Sequence, residues 1–431
     1  MSRSSLRNGA RALAHRNYRL FFGGQGISLV GTWMQTVAQA WLVLKLTSDP
    51  FMLGVLSVAQ FLPVMVLGLF GGIVADALPK RQTLIATQTS QMILAFLLFG
   101  LTVAGTVQVW HIMVLALLLG VTNAVDMPTR QAFAVEMVGH DDIQNAVALN
   151  SAMFNGARIV GPAVAGVAIG ILGIAAAFLI NGLSFLAVIV AYAVMRDDDL
   201  HSPAHYHRPA TLRAVGETLG DGLRYVWRSP MLLLPVTMIG LVSTFGMNFS
   251  VVVPALADEV LKTDATGFGI LMASTGVGSM AAALLIAFSS KSRPMIIGLG
   301  SVVLGAALLA AGVITSFTLS LAAMVFVGFG AIGMAATANT TIQLNVEDGY
   351  RGRVMSVYTT VFAGSAPIGG LFAGWLASAY TVSASLVIAG VLTALTGLLA
   401  IVWLQRIRAR GIAPVLVPES AGASTVGARP R

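Results

Sequence analysis

Arg158 constrains the chemistry of this chain most, because it lies in the middle of a stretch that is otherwise apolar. A charge at the centre of a bilayer costs at least about 2.5–3.5 kcal/mol, so such a side chain normally faces a protein interior or a water-filled cavity. Three residues fall on the same helical stripe as this arginine: Ser151, Asn155 and Pro162. The stripe indicates the wall of a path for a solute. The alternative is a structural arginine that bonds backbone carbonyls of a broken helix.

Asp126 is the only acidic residue that falls inside a predicted span. It is therefore the candidate for a titratable group that senses a central cavity, and Arg158 is the charge best placed to stabilise its anionic form. A direct pair between them requires helix ends other than those predicted, since their estimated depths differ by about 10 Å. The alternative is an ion pair between Asp126 and Arg130, one helical turn away.

The first predicted span carries a stripe of neutral hydrogen-bonding side chains: Gln25, Ser28, Thr32, Gln35 and Gln39. Such groups suit a roomy site for an amphipathic ligand, and we assign Thr32, Gln35 and Gln39 to the path. They could equally form bonds between helices, worth about 0.6 kcal/mol each.

The composition places these residues in a polytopic membrane protein. The chain has 431 residues, of which 57% are hydrophobic and only 10% charged, whereas a soluble protein carries about 25% charged residues. The absence of cysteine excludes a disulfide framework, thiol catalysis and cysteine-ligated metals. No phosphate-binding loop and no nucleophile–base or metal constellation is present, so we expect neither an enzyme nor a bound cofactor.

Twelve apolar windows are long enough to cross a bilayer. We predict spans near 18–45, 52–75, 83–105, 111–133, 145–170, 172–195, 230–257, 266–289, 294–315, 318–341, 353–379 and 382–405. This is an all-α fold of 12 transmembrane helices. We expect an N-terminal bundle at 1–195, a linker at 196–229, a C-terminal bundle at 230–406 and a disordered tail at 407–431.

The basic residues are distributed very unevenly between the two sides of the predicted spans. With Arg158 set aside, 22 of the 25 Lys and Arg fall on the side that holds both termini and the linker, and only Lys45 and Lys262 fall on the other. Basic loops stay in the cytoplasm, so we expect both termini inside a bacterial cytoplasmic membrane. The net charge of +8 is then explained by the orientation in the membrane and does not indicate a nucleic-acid partner. The linker histidines His201, His205 and His207 have no carboxylate companion, and we expect no metal there.

The two halves of the chain repeat each other. Gly161-Pro162 corresponds to Ala366-Pro367, and Ser151 corresponds to Ser356. Parallel halves around a site at the membrane midplane are typical of secondary transporters. Glycine and proline within a span allow a bend, which we assign to Gly161, Pro162 and Pro367, or they simply allow close helix packing. Ala363 stands opposite Arg158 in the repeat, so the arginine charge has no counterpart.

The loop between the second and third spans contains a recognisable motif, Gly72-Ile-Val-Ala-Asp76-Ala-Leu-Pro-Lys80-Arg81. It resembles the loop signature of the major facilitator superfamily, with Ala77 and Pro79 as departures. In that superfamily the loop aspartate docks at the start of span eleven, which here carries Arg351 and Arg353. The resemblance implies a latch between the halves, made by Asp76, Lys80, Arg81, Arg351 and Arg353. The alternative is a solvated loop that only sets topology.

A second set of motifs lies around spans four, five and eleven. They read Asp126-Met-Pro128-Thr-Arg130-Gln131, Phe154-Asn155-Gly-Ala-Arg158, and Arg351-Gly-Arg353-Val-Met-Ser356. These resemble the branch of the superfamily that contains the bacterial enterobactin exporter and drug-efflux proteins. The resemblance implies an exporter of amphipathic small molecules, drugs or siderophores. We expect it to be proton-coupled, because the chain lacks an ATP site, and to work as a monomer. An importer of a small metabolite, or a transporter-like sensor or scaffold that moves nothing, are the alternatives.

Overall fold

The computed structural model describes residues 11–139, 141–201, 212–287 and 293–409, and within those residues it is helical without any strand. The first six spans are α1 (Arg16–Thr47), α2 (Pro50–Ala77), α3 (Lys80–Val103), α4 (Val109–Val138), α5 (Ile143–Leu172) and α6 (Ile174–Ala193). A linker helix, α7 (Leu212–Arg228), follows. The last six spans are α8 (Pro230–Gly246) continued by α9 (Phe249–Ala255), α10 (Ala265–Ala287), α11 (Met295–Val313), α12 (Phe317–Asn345), α13 (Arg351–Ala379) and α14 (Val382–Ala409).

These helices confirm the predicted number of spans: with α8 and α9 counted as one, the described residues form 12 helical segments long and apolar enough to cross a membrane. Their ends follow local chemistry. Only Gly173 separates α5 from α6, and its φ of 83° suits a residue without a side chain. Because the number of spans is even, both ends of the described chain lie on one face of the bundle, the terminal face. The opposite side is the far face.

The seventh span is interrupted, although the sequence predicts one continuous helix there. α8 ends at Gly246 and α9 begins at Phe249, and a π-helical turn, Leu256–Val260, follows. The side-chain amide of Asn248 donates to the carbonyl of Thr244 at 2.7 Å and so replaces a backbone donor at the break. Non-helical backbone at membrane depth is tolerated when it is buried in protein, as it is here.

The packing of the helices repeats in the two halves. In the first half α2 packs on α4 and α3 on α6, and in the second half α10 packs on α12 and α11 on α14. Between the halves, α2 packs on α13 and α5 packs on α10. These two contacts are equivalent, because the repeat relates α2 to α10 and α5 to α13. The predicted architecture of two pseudo-symmetric six-helix halves is confirmed.

The α5–α10 seam depends on small residues. A β-carbon added at Gly269 would lie 2.5 Å from the carbonyl oxygen of Pro162 and 2.8 Å from the Cα of Gly166. The hydroxyl of Thr266 donates to the carbonyl of Gly166 at 3.2 Å. This seam runs from the far face to the middle of the bundle, where Gly276 lies against the backbone of Arg158 and Ile159.

The α2–α13 seam has the same extent. Near the far face, a β-carbon at Gly54 would lie 2.5 Å from the carbonyl oxygen of Gly370. At mid-depth, Gly364 is still next to the sulfur of Met65. Closer to the terminal face, a β-carbon added at Gly68 would meet no described atom within 4 Å. The halves are therefore joined tightly on the far side of the bundle.

The linker helix α7 is fixed to the second half by one of its faces. Val226 is buried, Gly222 lies against the backbone of Arg353, and Tyr225 stacks on Tyr350 with ring centroids 4.3 Å apart. Asp221 and Arg353 add an ion pair at 3.5 Å, with both side chains about half exposed. The predicted tail beyond residue 409 lies outside the described residues.

Candidate transport path

Arg158 lies midway along α5, about 22 Å from its first residue at 1.5 Å per residue. Its side chain is partly buried, and within the described structure it has neither an ion-pair partner nor a hydrogen-bond partner. It is also placed where the α5–α10 seam ends. An unpaired cation at membrane depth is unfavourable in free energy. An anionic or strongly polar group of a solute would therefore bind most favourably at this position.

The face of α5 that turns towards the second half changes character at Arg158. On the far side of this residue, Ala165 and Ile169 are buried in the seam. On the terminal side, Phe154 and Val147 are 45% and 56% exposed. The same face of α5 is packed near the far face and exposed near the terminal face, which requires α10 to diverge from it. A cleft between the halves therefore opens towards the terminal face.

Two of the predicted path residues line this cleft together with Arg158. Asn155 is partly buried and Ser151 is exposed, and the Asn155 amide donates to the Ser151 carbonyl at 2.8 Å. The aromatic ring of Phe154 meets that of Trp33 on α1 edge-on, with centroids 5.8 Å apart. The cleft wall thus combines one cation, amide and hydroxyl groups, and aromatic surface, a mixture that suits an amphipathic solute.

The glutamines of α1 are engaged in bonds between helices of the first half. Gln35 accepts a hydrogen bond from Asn181 of α6 at 2.7 Å, and Gln39 accepts one from Gln60 of α2 at 3.1 Å. Both glutamines are buried. The hydroxyl of Thr32 donates to the Ser28 carbonyl of its own helix. This arrangement matches the helix-packing alternative for the stripe, and contact of these residues with a solute stays a prediction.

Asp126 is 1% exposed and faces α3. Its Oδ1 accepts hydrogen bonds from Thr87 Oγ1 and Gln88 Nε2, both at 2.8 Å, and its Oδ2 lies 3.5 Å from an Arg130 nitrogen. Among the described residues no ion pair joins Asp126 to Arg158. The alternative pair with Arg130 is the one that forms, because the two residues lie one turn apart on α4.

The expectation that Asp126 is the only acidic residue inside a span is wrong. α4 continues five residues beyond the predicted end at 133 and includes Glu136, which pairs with Lys80 at 2.7 Å. The seventh span likewise ends with Asp258 and Glu259. Hydropathy detects the lipid-immersed part of a helix and misses polar turns that continue beyond it.

Two of the predicted latch residues, Arg81 and Arg353, have described partners that are not each other. Arg81 donates to the carbonyls of Tyr192 and Ala193 at 2.7 and 2.8 Å and pairs with Asp197, just beyond α6, at 2.6 Å, so none of these partners lies in the second half. Arg353 binds the linker helix through Asp221, and Arg351 is the first residue of α13. The backbone of Asp76 belongs to the last turn of α2, but its side chain lies outside the described part of the structure. The latch therefore stays a prediction.

The predicted bend residues occupy the close contacts between helices. A β-carbon at Gly161 would collide with Trp33, so glycine lets α5 approach α1. Pro162 and Pro367 lie at corresponding places in the two seams. The Pro162 carbonyl faces Gly269, and the carbonyl of Ala366, beside Pro367, accepts a hydrogen bond from Ser57 at 3.3 Å. Both prolines lie inside continuous helices.

The far face holds a cluster that the sequence analysis did not single out. Lys45 at the end of α1 binds Asp258 of the second half at 2.7 Å and lies 4.8 Å from the centre of the Trp41 ring. Trp41 in turn stacks on Phe268 of α10, with centroids 5.8 Å apart. The only sequence signal was that Lys45 and Lys262 are the two basic residues predicted on this side. The cluster joins the halves across the closed end of the cleft.

The described linker residue His201 lies beside His15, with ring centroids 5.9 Å apart, and its backbone amide donates to the Glu136 carbonyl. His205 and His207 lie outside the described residues.

Twelve spans in two repeated halves, with a polar cleft between them, define a multi-pass membrane transporter of the major facilitator superfamily. The chain belongs more specifically to the transmembrane secretion effector family of that superfamily, whose family model matches residues 9–417. The predicted superfamily is therefore confirmed, and the protein is a transporter and not an enzyme.

Relatives with assigned functions cover nearly the whole chain. It is 23% identical over 380 residues to the staphyloferrin A transporter of Staphylococcus aureus, covering 87% of this chain and 93% of the relative. It is 27% identical over 394 residues to the multidrug efflux pump Tap of Mycolicibacterium fortuitum, covering 88% of this chain and 93% of the relative.

Solved structures share the fold at low identity. An inward-facing, occupied bacterial homologue of the human lysosomal transporter Spinster aligns with a TM-score of 0.72 at 12% identity, over 91% of this chain and 97% of that chain. A POT family transporter in complex with a peptide conjugate aligns with a TM-score of 0.70 at 12% identity, over 89% and 96%.

Proposed function

We propose that this transporter is a proton-coupled exporter of amphipathic small molecules, drugs or siderophores, across the bacterial cytoplasmic membrane, working as a monomer. Its terminal face is cytoplasmic. The observation that carries the proposal is Arg158, a partly buried cation without a described partner at the closed end of the cleft. A solute that enters from the cytoplasm meets amide, hydroxyl and aromatic groups first and this charge last.

Export is supported by the names of several relatives. The Tap proteins are multidrug efflux pumps, and a more distant relative, 20% identical, is the macrolide efflux protein A of Streptococcus pyogenes. The staphyloferrin A transporter extends the range of solutes to siderophores. All three solute classes suit a cleft that combines apolar walls with one cation.

An ion gradient is the energy source that fits this chain, because its sequence contains no phosphate-binding loop for ATP. Proton coupling requires a titratable group that responds to the state of the cleft. We assign this role to Asp126. It lies on α4, the helix that precedes the cleft-lining α5 in the chain, and its carboxylate is bound by Thr87, Gln88 and Arg130. Protonation would remove the charge that these three groups hold.

The test is efflux of a preloaded fluorescent drug, and separately of a siderophore, from cells that lack other exporters. Arg158→Ala should abolish efflux without lowering membrane abundance. Arg158→Lys should be impaired, because lysine keeps the charge but loses the planar donor fork. The matched control is Arg406→Ala, which removes an exposed arginine at the end of α14.

A protonophore arm and a sodium-replacement arm separate the coupling ions. Protonophore-insensitive efflux that fails without sodium would contradict proton coupling. Solute uptake would indicate an importer, and reconstituted vesicles that move no solute would indicate a sensor or scaffold. Full efflux by Arg158→Ala would remove the basis for the path assigned here.

A further inference from the structure

The outward face of the linker helix α7 has a composition that the transport path does not explain. The helix has two stripes. One stripe, which includes Leu219, Gly222 and Val226, packs on the second half. The other stripe follows at helical spacing and consists of Gly220, Leu223, Arg224, Trp227 and Arg228.

The outward stripe combines large apolar groups with two cations. Leu223 is 53% exposed and Trp227 is 72% exposed. Arg224 and Arg228 are exposed as well, and neither has an ion-pair partner among the described residues. The five residues line a shallow open groove. Leucine and tryptophan on an otherwise solvated loop helix would leave apolar surface in water, whereas at a membrane interface the same surface is buried in lipid.

The position of the stripe points to that interface. Only Ser229 separates Arg228 from Pro230, the first residue of the seventh span, so Trp227 lies within one helical turn of the membrane boundary. Pro230 is itself exposed, and the outward stripe is thus continuous with the lipid-facing surface of α8. Tryptophan is enriched at this depth, and arginine side chains there extend towards headgroups.

We propose that this face of α7 is a binding site for an anionic phospholipid of the cytoplasmic leaflet. The lipid phosphate binds Arg224 and Arg228, and Leu223 and Trp227 lie against the upper acyl chains. The occupant follows from charge complementarity and from the continuity of the site with the lipid-facing surface. The buried stripe of the same helix contacts the start of α13 through Gly222 and Arg353, so lipid binding would also hold the linker against the second half.

The test uses the purified full-length protein and measures retention of phosphatidylglycerol against phosphatidylcholine by native mass spectrometry. The double variant Arg224→Gln/Arg228→Gln should lose phosphatidylglycerol affinity by about fivefold per arginine, the amount expected for a basic residue at an anionic surface. The matched control, Arg196→Gln/Arg406→Gln, removes two exposed arginines elsewhere on the terminal face and should keep the parental affinity. Equal losses in both double variants, or no loss in either, would overturn the proposal.

A second measurement places the lipid at the helix itself. Brominated phosphatidylglycerol in nanodiscs should quench the tryptophan fluorescence of the parental protein more than that of Trp227→Phe. Equal quenching would contradict burial of Trp227 in lipid. If the parental protein is a dimer and Trp227→Ala is a monomer, a second copy of the chain covers this face. That result would also overturn the lipid proposal. Competition by soluble glycerol phosphate at equal affinity would show that a free phosphate suffices and that no lipid site exists.

Discussion

Arg158 and Asp126 carry opposite charges at similar depths, about 22 and 18 Å from the terminal ends of their helices. Their surroundings differ in kind. Asp126 is saturated by two hydrogen-bond donors and an arginine, all on α3 and α4. Arg158 has no described partner. The carboxylate is therefore bound within the first half, and the guanidinium is left available to a solute.

This difference predicts opposite effects on stability. Asp126→Asn should lower the melting temperature of the detergent-solubilised protein, because an amide is a weaker acceptor and Arg130 loses its partner. Hydrogen bonds to a charged group contribute about 1.5–3 kcal/mol each. Arg158→Ala should leave the melting temperature unchanged or raise it, since no described bond is lost. Thermal unfolding followed by gel filtration measures both, and an equal decrease in the two variants would show that Arg158 is also a structural residue.

At the scale of helices, the two seams decide how closely the halves meet on the far face. Both seams use glycine against backbone. On the α5–α10 side Gly269 faces Pro162, and on the α2–α13 side Gly54 faces Gly370. Close backbone approach of this kind is how helices associate in lipid, where no hydrophobic force drives them together. In a transporter whose two halves rock against each other, these seams are the contacts that would separate to open the far face.

Gly269→Ala should weaken the closed far face. The added methyl group has no room beside Pro162, and overpacking costs about 1–3 kcal/mol, equivalent to about a 5- to 150-fold shift between two states. Efflux should decrease correspondingly at equal membrane abundance. Gly23→Ala on the exposed side of α1, where a β-carbon meets nothing within 4 Å, is the matched control. Parental efflux by Gly269→Ala would mean that this seam does not limit the cycle.

For the whole molecule, the closed far face and the open terminal face correspond to one state of an alternating-access cycle. The Lys45–Asp258 pair and the Trp41–Phe268 stack hold the far side together. Release of a solute on that side requires both contacts to separate.

Because the chain contains no cysteine, this requirement can be tested without a background of native thiols. A bifunctional methanethiosulfonate linker, which forms a disulfide with each cysteine of the Lys45→Cys/Asp258→Cys variant, should stop efflux, and reduction of the two disulfides should restore it. Each single cysteine variant, treated with the same reagent, is the control. Continued efflux by the linked protein would show that the far face does not open there.

The orientation in the membrane is a separate prediction for the whole molecule. The excess of basic residues places the terminal face in the cytoplasm. Reporter fusions at Ser202 and Ser420 should show cytoplasmic activity. Periplasmic activity at either position would invert the orientation and make the cleft open outwards.

The sequence by itself determined the number of spans and the superfamily, because lipid imposes long apolar windows that are read locally along the chain. It also located Arg158, because a charged residue within an apolar stretch is evident from the local sequence alone. Tertiary structure decided which polar residues are satisfied. The donors for Asp126 lie 38 and 39 residues away and that for Gln35 lies 146 residues away. Helical periodicity assigns a residue to a face but cannot say which helix covers that face. For the same reason the sequence could not separate the buried glutamines of α1 from the open wall of α5, nor find the Lys45–Asp258 contact.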